Sequence, residues 1–533
     1  MAGIITILNN NDAYSHKHVV EQFNKGSHRG SKSVFKRIIH KVDGGMHYDR
    51  GGPPVVNDHW INYTQPLTHN CIALLCDGDI YNYAELHQLL VSHNVTNNPD
   101  GPAKFELENP EKLTYTANEK RNAIIIQLYE RFGIEETLQL LDGDFAFVLI
   151  DYRLSQTTSK IYVARDPYGI RPLYQFSQSN VLNKNNQIFA FASEEQMLSG
   201  LHDNEYYCVP TITSFTPGCY SVFELSSFVN SSWKVVENNV RYHTVTFAYN
   251  TLFLDIPDNT HNINDQIQYY LYRSIEKRMD DTESHLVACV LNGDIESSIL
   301  AAIMSDYRKQ HKLPALETYS TGFADEDHMV YAKLLAEYIG SNHTEIVVTK
   351  EQIEDAKQTF TNEGPNEGPN DGSTDDDVLM WLLSDFVAKN TETKIVFTGD
   401  GLNAYMGGYS HMKRINNAID FDRECRRLLT TMYKPETVCK NNVLNSERSL
   451  SAHGLEYRMP YMDRAFVQMY MSIPLEYRFH SHTIMEKQIL RNAFAPDKLN
   501  RDLVPECILW HTTVETSDTS GTSVQKLSNA TNV

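Results

Sequence analysis

The chain has 533 residues, 41% of them hydrophobic, which is too long for one ordinary domain and enough apolar material for at least two packed cores. Its formal net charge of −21 argues against nucleic acid or an anionic membrane as a partner, since both are drawn by basic patches and no long basic run offsets the acidic balance. No segment has the length of a membrane span, "MAGIITILNNND" lacks the basic region of a signal peptide, and the 8 scattered cysteines make neither a C-x-x-C pair nor a zinc-spaced cluster, so a cytoplasmic, reducing setting is expected.

Residues 1–225 read as short β-rich runs, among them "CIALLCDG", "FAFVLIDY", "KIYVAR", "IFAFAS" and "CYSVFEL", with one helix at "RNAIIIQLYERFG". They predict an α+β domain of stacked sheets with helices. Residues 226–260 are expected to connect it to a second domain at 261–511. There strand and helix alternate: "LVACVL" and "SSILAAIMSDYRK", "ALETYST" and "MVYAKLLAEYIG", then "TEIVVT" and later "KIVFTG". That pattern predicts an α/β domain with a parallel sheet, whose ligands sit beyond the carboxyl ends of the strands.

The Gly-, Pro- and acid-rich "TNEGPNEGPNDGSTDDD" at 361–377 is expected to be a flexible loop, and the polar tail at 512–533 to be disordered. The run Asp375, Asp376, Asp377 admits two readings, a replacement site for magnesium or calcium or a solvated acidic stretch. The solvated stretch is the expectation.

The stretch "LVACVLNGDIESSILAAIMSDY", residues 286–307, reads as strand, turn and helix, the arrangement by which a chain presents backbone N–H groups to a phosphate. Gly293, Ser297 and Ser298 suit that task. Asp294 and Glu296 oppose it, because they place carboxylates where a triphosphate would lie.

Taken in order, "MAGI", "SHRG", "QPL", "DGDIYNYAEL", "LDGDFAFVLID", "ARDPYGIRPLY", "FASEEQML", "FTPGCYSV", "LNGDIESS", "TYSTGF", "VFTGDGLNAYMGGY", "AHGLEYRMPYMDRAF" and "MEKQILRNAF" resemble the glutamine-dependent asparagine synthetases over nearly the whole chain. Members of that family join a class II glutamine amidotransferase domain to an ATP-pyrophosphatase domain. The resemblance implies an Ntn-hydrolase-like sandwich followed by an α/β ATP-pyrophosphatase domain, with ATP, magnesium, aspartate and glutamine as the family's small molecules.

Carried over position by position, the resemblance implies a glutaminase site that has lost its chemistry. Ala2 stands where the family has its nucleophilic cysteine. Asp77 replaces the oxyanion-hole Asn, beside a retained Gly78. Arg121 falls at the Asp that holds the glutamine amino group, and "NDHWIN" replaces the arginine-bearing segment that grips its carboxylate. In the second half the implied ATP-binding positions are Leu291, Asn292, Gly293, Asp294, Glu296, Ser297, Ser298, Thr321, Thr398 and Gly399, with Glu296 on the magnesium side. Asp400 shortens the Glu that takes the ammonia proton, Lys487 is the cation for the adenylate, and Asn403 and Ala404 stand where metal and intermediate contacts belong.

Intact framework motifs beside altered site motifs lead to the expectation of a non-catalytic homologue, with ATP and magnesium binding weak or lost, that assembles as a homodimer or with a partner protein. The competing reading is an active synthetase that converts aspartate to asparagine through a β-aspartyl-adenylate with ammonia. A third is a ligase with a different acyl substrate.

Overall fold

The computed structural model describes residues 3–9, 14–29, 57–60, 67–97, 117–151, 153, 159–180, 187–201, 208–225, 232–244, 259–280, 286–324, 326–363, 375–433, 442–479, 485–496 and 502–511. The first half holds β1 (Ile5–Leu8), β2 (Asn57–Trp60), β3 (Leu67–His69), β4 (Ile72–Ile80), β5 (Gly143–Asp151), β6 (Lys160–Arg165), β7 (Tyr174–Asn180), β8 (Ile188–Ala192), β9 (Cys208–Ser214), β10 (Cys219–Leu225) and β11 (Trp233–Arg241). These form two antiparallel sheets, ordered β2-β1-β8-β7-β9 and β11-β10-β6-β5-β4-β3. Helices α1 (His16–Asn24), α2 (Tyr83–Asn97), α3 (Ala117–Asn122), α4 (Ile124–Leu140) and α5 (Gln196–Ser199) accompany them.

The period-2 alternation of a strand explains the layering. Leu8 and Phe191 of one sheet meet Leu75, Val148 and Val163 of the other between the sheets. The alternate residues Ile5 and Ile7 pack with Val19, Phe23 and Met197 of α1 and α5. Leu74, Phe145 and Phe147 pack with Leu86, Ile125 and Leu128 of α2 and α4. The result is helix on sheet on sheet on helix, the stacked α+β arrangement expected from the sequence.

The second half is a parallel sheet of β12 (Val287–Val290), β13 (Glu317–Gly322), β14 (Asn342–Val347), β15 (Ile395–Phe397) and β16 (Glu456–Arg458), ordered β14-β13-β12-β15-β16. Around it lie α6 (Asn259–Met279), α7 (Ile295–Gln310), α8 (Asp327–Ile339), α9 (Lys350–Glu363), α10 (Asp375–Asn390), α11 (Asn403–Met406), α12 (Ala418–Thr431), α13 (Asn442–Ala452), α14 (Arg464–Ser472), α15 (Leu475–Arg478), α16 (Gln488–Ala493) and α17 (Glu506–Leu509). The chain steps outward from β12 to β13 and β14, then returns to place β15 on the other flank of β12. The strand order therefore reverses between β12 and β15, whose carboxyl ends are the position at which ligands of such sheets bind.

Three expectations are corrected. The expected connector contains β11, which pairs with β10 and is anchored by the buried Trp233. The first half has further helices beside the one expected, since α1, α2 and α3 join α4. Asp375, Asp376 and Asp377 do not belong to a loop: they are the first turn of α10, where the helix dipole favours carboxylates, and Asp377 is buried and accepts from Asn445 Nδ2 at 2.8 Å. Residues 361–363 close α9, while 364–374 and the tail at 512–533 lie outside the described residues. Among the described residues no helix is long and apolar enough to cross a membrane.

The two halves meet through buried charge. Arg29 Nη2 donates to Glu447 Oε1 at 2.7 Å, Arg171 lies 3.4 Å from Glu456, Arg458 3.4 Å from Asp79, and Arg278 3.4 Å from Asp144. Tyr168 and Ile170 of the first half join the core of the second.

Candidate active site

The loop after β12 is shaped by two requirements. Leu291 is buried, and its N–H reaches Tyr319 O at 2.8 Å, which ties the loop to β13. Gly293 has φ 71°, and a Cβ there would lie 2.4 Å from His328 O and 2.9 Å from Ala332 N, so α8 leaves room only for glycine. The chain then enters α7 with Asp294 as N-cap.

Of the donors expected to face a phosphate, Ser297 is engaged within the loop. Ser297 N–H donates to Asp294 Oδ1 at 2.7 Å, and Asn292 N–H donates to Ser297 Oγ at 3.1 Å. A carboxylate at the N-cap satisfies one orphan amide and complements the dipole, as an external anion would. Asp294 thus supplies a negative charge of its own at the α7 N-terminus.

Glu296, in the first turn of the same helix, is buried against the Lys487 ammonium, to which it is paired by a direct hydrogen bond. Burial pushes its carboxyl up, and Lys487 opposes the shift. Lys487 has left-handed backbone, φ 56°, at the start of α16. Tyr461 OH donates to Glu296 O at 2.9 Å. Glu296, expected on the magnesium side, therefore serves as the counter-ion of Lys487. Among the described residues no three His, Cys, Asp or Glu side chains gather as a metal-binding cluster.

The loop after β15 closes on this helix start. A Cβ on Gly399 would lie 2.9 Å from Glu296 Cβ and 3.0 Å from Ser297 N. Thr398 Oγ1 donates to Asp400 Oδ2 at 2.9 Å, and Tyr457 OH donates to the same oxygen at 2.7 Å. Burial raises the Asp400 carboxyl; hydrogen bonds from Tyr457, Thr398 and Ser446 act the other way. Asn292, Gly293, Asp294, Glu296, Ser297, Thr398, Gly399, Asp400 and Lys487 are brought together in this way. Ser298 Oγ, Thr321 Oγ1 and Asn403 Oδ1 are buried and have no hydrogen-bond partner among the described residues, and Ala404 is buried.

The first-half candidates are held by a different set of ions. Asp77 is fully buried on β4, 3.5 Å from Arg29 Nη1. Gly78 is pressed against β5, where a Cβ would lie 2.2 Å from Asp144 O, and its carbonyl accepts from Asn122 Nδ2 at 2.8 Å. Arg121 grips Asp79 with both arms, Nε to Oδ1 and Nη2 to Oδ2 at 3.0 Å each. Its fork is thereby turned to an internal carboxylate. Ala2 and residues 61–62 of "NDHWIN" lie outside the described residues.

Sequence reasoning named Tyr457 and Arg458 only as parts of a motif, and it missed Asp79 and Glu447. Asp79 pairs with Arg121, 42 positions away, and with Arg458, 379 away, and Glu447 pairs with Arg29, 418 away; no local pattern signals these pairings. The one available sign is the carboxylate at position 79, on a strand that is buried throughout.

The chain matches the model of asparagine synthase over residues 266–434 and 420–531, and that of a glutamine amidotransferase domain over residues 57–200. It is 29% identical over 445 residues to the asparagine synthetase [glutamine-hydrolyzing] of Rattus norvegicus, covering 82% of this chain and 70% of that protein. The asparagine synthetase [glutamine-hydrolyzing] of Homo sapiens is 28% identical over 447 residues, again 82% of this chain and 70% of that protein. Among solved structures, the NAD+ synthetase from Burkholderia pseudomallei aligns at 13% identity and a TM-score of 0.21, over 45% of this chain and 94% of that one, a likeness too slight to bear on function. With both family models matched in the order of the two halves, the chain belongs to the asparagine synthetase family.

Proposed function

We propose that this chain is a non-catalytic member of its family, which keeps the two-part shell and neither hydrolyses glutamine nor forms an amide at the expense of ATP. The observation that carries the proposal is the internal occupation of the α7 N-terminus: Asp294 caps the helix and Glu296 neutralises Lys487. A triphosphate would have to approach two carboxylates and compete for a cation that already has a partner. At about 4 Å, each such repulsion costs ~1 kcal/mol in water and ~4 kcal/mol at an effective dielectric of 20. These residues do not fit ATP with magnesium. In the first half, Ala2 supplies no nucleophile, Asp77 no oxyanion donor, and Arg121 is held by Asp79.

The assay is release of pyrophosphate from ATP with magnesium, aspartate and ammonia, together with release of glutamate from glutamine by the unmodified chain and by Ala2→Cys. None should turn over. Pyrophosphate formation coupled to asparagine would establish the second reading, an active ammonia-dependent synthetase. That reading draws support from Asp400, held by Tyr457 and Thr398 as a positioned proton acceptor, and from the unpartnered Ser298 and Thr321 hydroxyls.

A further inference from the structure

The two halves enclose a polar cavity of about 240 Å³ at their seam, which shares no lining residue with the candidate site. One wall comes from the first half, with Lys25 at the end of α1, His28 in the turn Ser27–Arg29 and Glu194 after β8. The other comes from the second half, with Arg448 and His453 at α13 and Trp381 of α10. Four basic side chains and one carboxylate thus line one small space.

The cations around the cavity are not used up by the carboxylates near them. Glu194 is matched from behind, since Arg29 Nε lies 2.5 Å from its Oε1 and His28 Nε2 donates to the same oxygen at 2.8 Å. Arg448 Nη2 donates to the neutral Tyr174 OH at 2.8 Å, with the exposed Glu195 4.0 Å away. His453 Nδ1 donates to Ser449 O at 2.8 Å, and Asp385, 3.5 Å from its Nε2, is held by Lys389 at 2.7 Å. Lys25 donates to Ser199 Oγ at 3.1 Å and makes no ion pair among the described residues. The Trp381 ring packs edge-on against His453, with 4.4 Å between ring centroids.

We propose that this cavity binds the phosphate group of a small molecule, and that the bound phosphate joins the two halves. A phosphate monoester carries a charge of about −1.5 to −2 and three strong acceptor oxygens, a tetrahedral set that donors on both walls can share. A carboxylate offers two oxygens in one plane, which a single wall satisfies. The volume is below the roughly 300 Å³ at which sites for drug-sized ligands begin, so the cavity suits inorganic phosphate or a phosphomonoester of a few carbons rather than a nucleotide. Arg29, which holds Glu194, also pairs with Glu447 of α13, so a ligand here adds to a seam that ions already cross. The proposal gives the two-part shell a ligand and does not depend on whether the candidate site is active.

Titration calorimetry of the full chain with inorganic phosphate and with glycerol 3-phosphate, at ionic strength matched with sodium chloride, tests it, with tryptophan emission followed in parallel. Both should bind with a Kd of about 1 mM or below, succinate should bind at least about tenfold more weakly, and saturation should raise the unfolding temperature. Tighter binding of glycerol 3-phosphate would make an organic phosphate the ligand and tighter binding of inorganic phosphate the free ion, both in support. Lys25→Gln, at an exposed position, and His453→Gln should each weaken binding on the order of tenfold with unchanged circular dichroism. Trp381→Phe should still bind phosphate and should lose the change in emission. No binding by the unmodified chain, succinate bound as tightly as phosphate, or binding indifferent to both Lys25→Gln and His453→Gln would each overturn the proposal.

Discussion

Lys487 and Glu296 stand 191 positions apart and are buried as a pair, so each is the main reason the other can be charged in that environment. Removing one partner of a buried pair is far more damaging than removing both, because the survivor is left uncompensated. Lys487→Met should lower stability by about 3–5 kcal/mol, and Lys487→Met with Glu296→Gln should recover most of the loss. Urea denaturation of the three proteins checks this; equal losses in the single and double variants would mean that the pair is not coupled. Asp294 was legible as a carboxylate in a loop of phosphate-binding shape. That it caps α7 was not, because the sequence does not say which way a side chain at that turn points.

A second residue makes the pH dependence explicit. Burial alone would raise the Glu194 carboxyl, but the Arg29 guanidinium and the His28 hydrogen bond outweigh it and bring the value from the ordinary 4.5 down to about 2. The unfolded chain therefore binds the proton first as pH falls. Glu194 contributes stability that is fully present above about pH 4.5 and is lost as pH drops towards 2. The shift corresponds to about 3 kcal/mol. Glu194→Gln should be less stable at neutral pH and should show a flatter stability profile between those two values, measured by thermal unfolding across pH. An acid limb with unchanged slope in the variant would count against it.

At the scale of elements, the sheets were legible wherever a strand has one face against another sheet and one against helices. β4 and β5 are apolar on both sides for that reason, and β8 and β10 carry enough of the pattern to be seen. β7, "YQFSQSN", and β9 escaped because polar residues fill alternate positions. The acidic run at 375–377 shows the limit of composition, since carboxylates that suggest solvent also suit a helix N-terminus. Asp377 is the member that the fold uses, through Asn445 of α13. Asp377→Ala should cost about 1–2 kcal/mol, combining a lost buried hydrogen bond with a weakened first turn, whereas Asp375→Ala, at an exposed position, should cost less than about 0.5 kcal/mol. Chemical denaturation of the two variants gives the comparison, and equal effects would place Asp377 with its solvated neighbour.

At the scale of the whole molecule, the seam between the halves was the least legible part, because Arg29 with Glu447 and Arg458 with Asp79 join positions 418 and 379 apart. Family likeness predicted two halves in the right order and could not foresee that Asp77, Asp79 and Arg121 would take part in ion pairs leading into this seam. Buried pairs of this kind make the halves depend on one another. Arg458→Met leaves Glu456 and Asp79 without a shared cation and should separate unfolding into two calorimetric transitions, whereas the unmodified chain should show one. One transition in both proteins would assign the coupling to the shared apolar contacts of Tyr168 and Ile170.

The central claim is that internal carboxylates have taken the place of the nucleotide's phosphates, and titration calorimetry with ATP and magnesium tests it directly. The unmodified chain should give no binding heat up to about 1 mM ATP, and Asp294→Gly with Asn292→Ser, which frees the α7 N-terminus at a capping cost of only a few tenths of a kcal/mol, should bind at least tenfold more tightly. Micromolar binding by the unmodified chain would contradict the account.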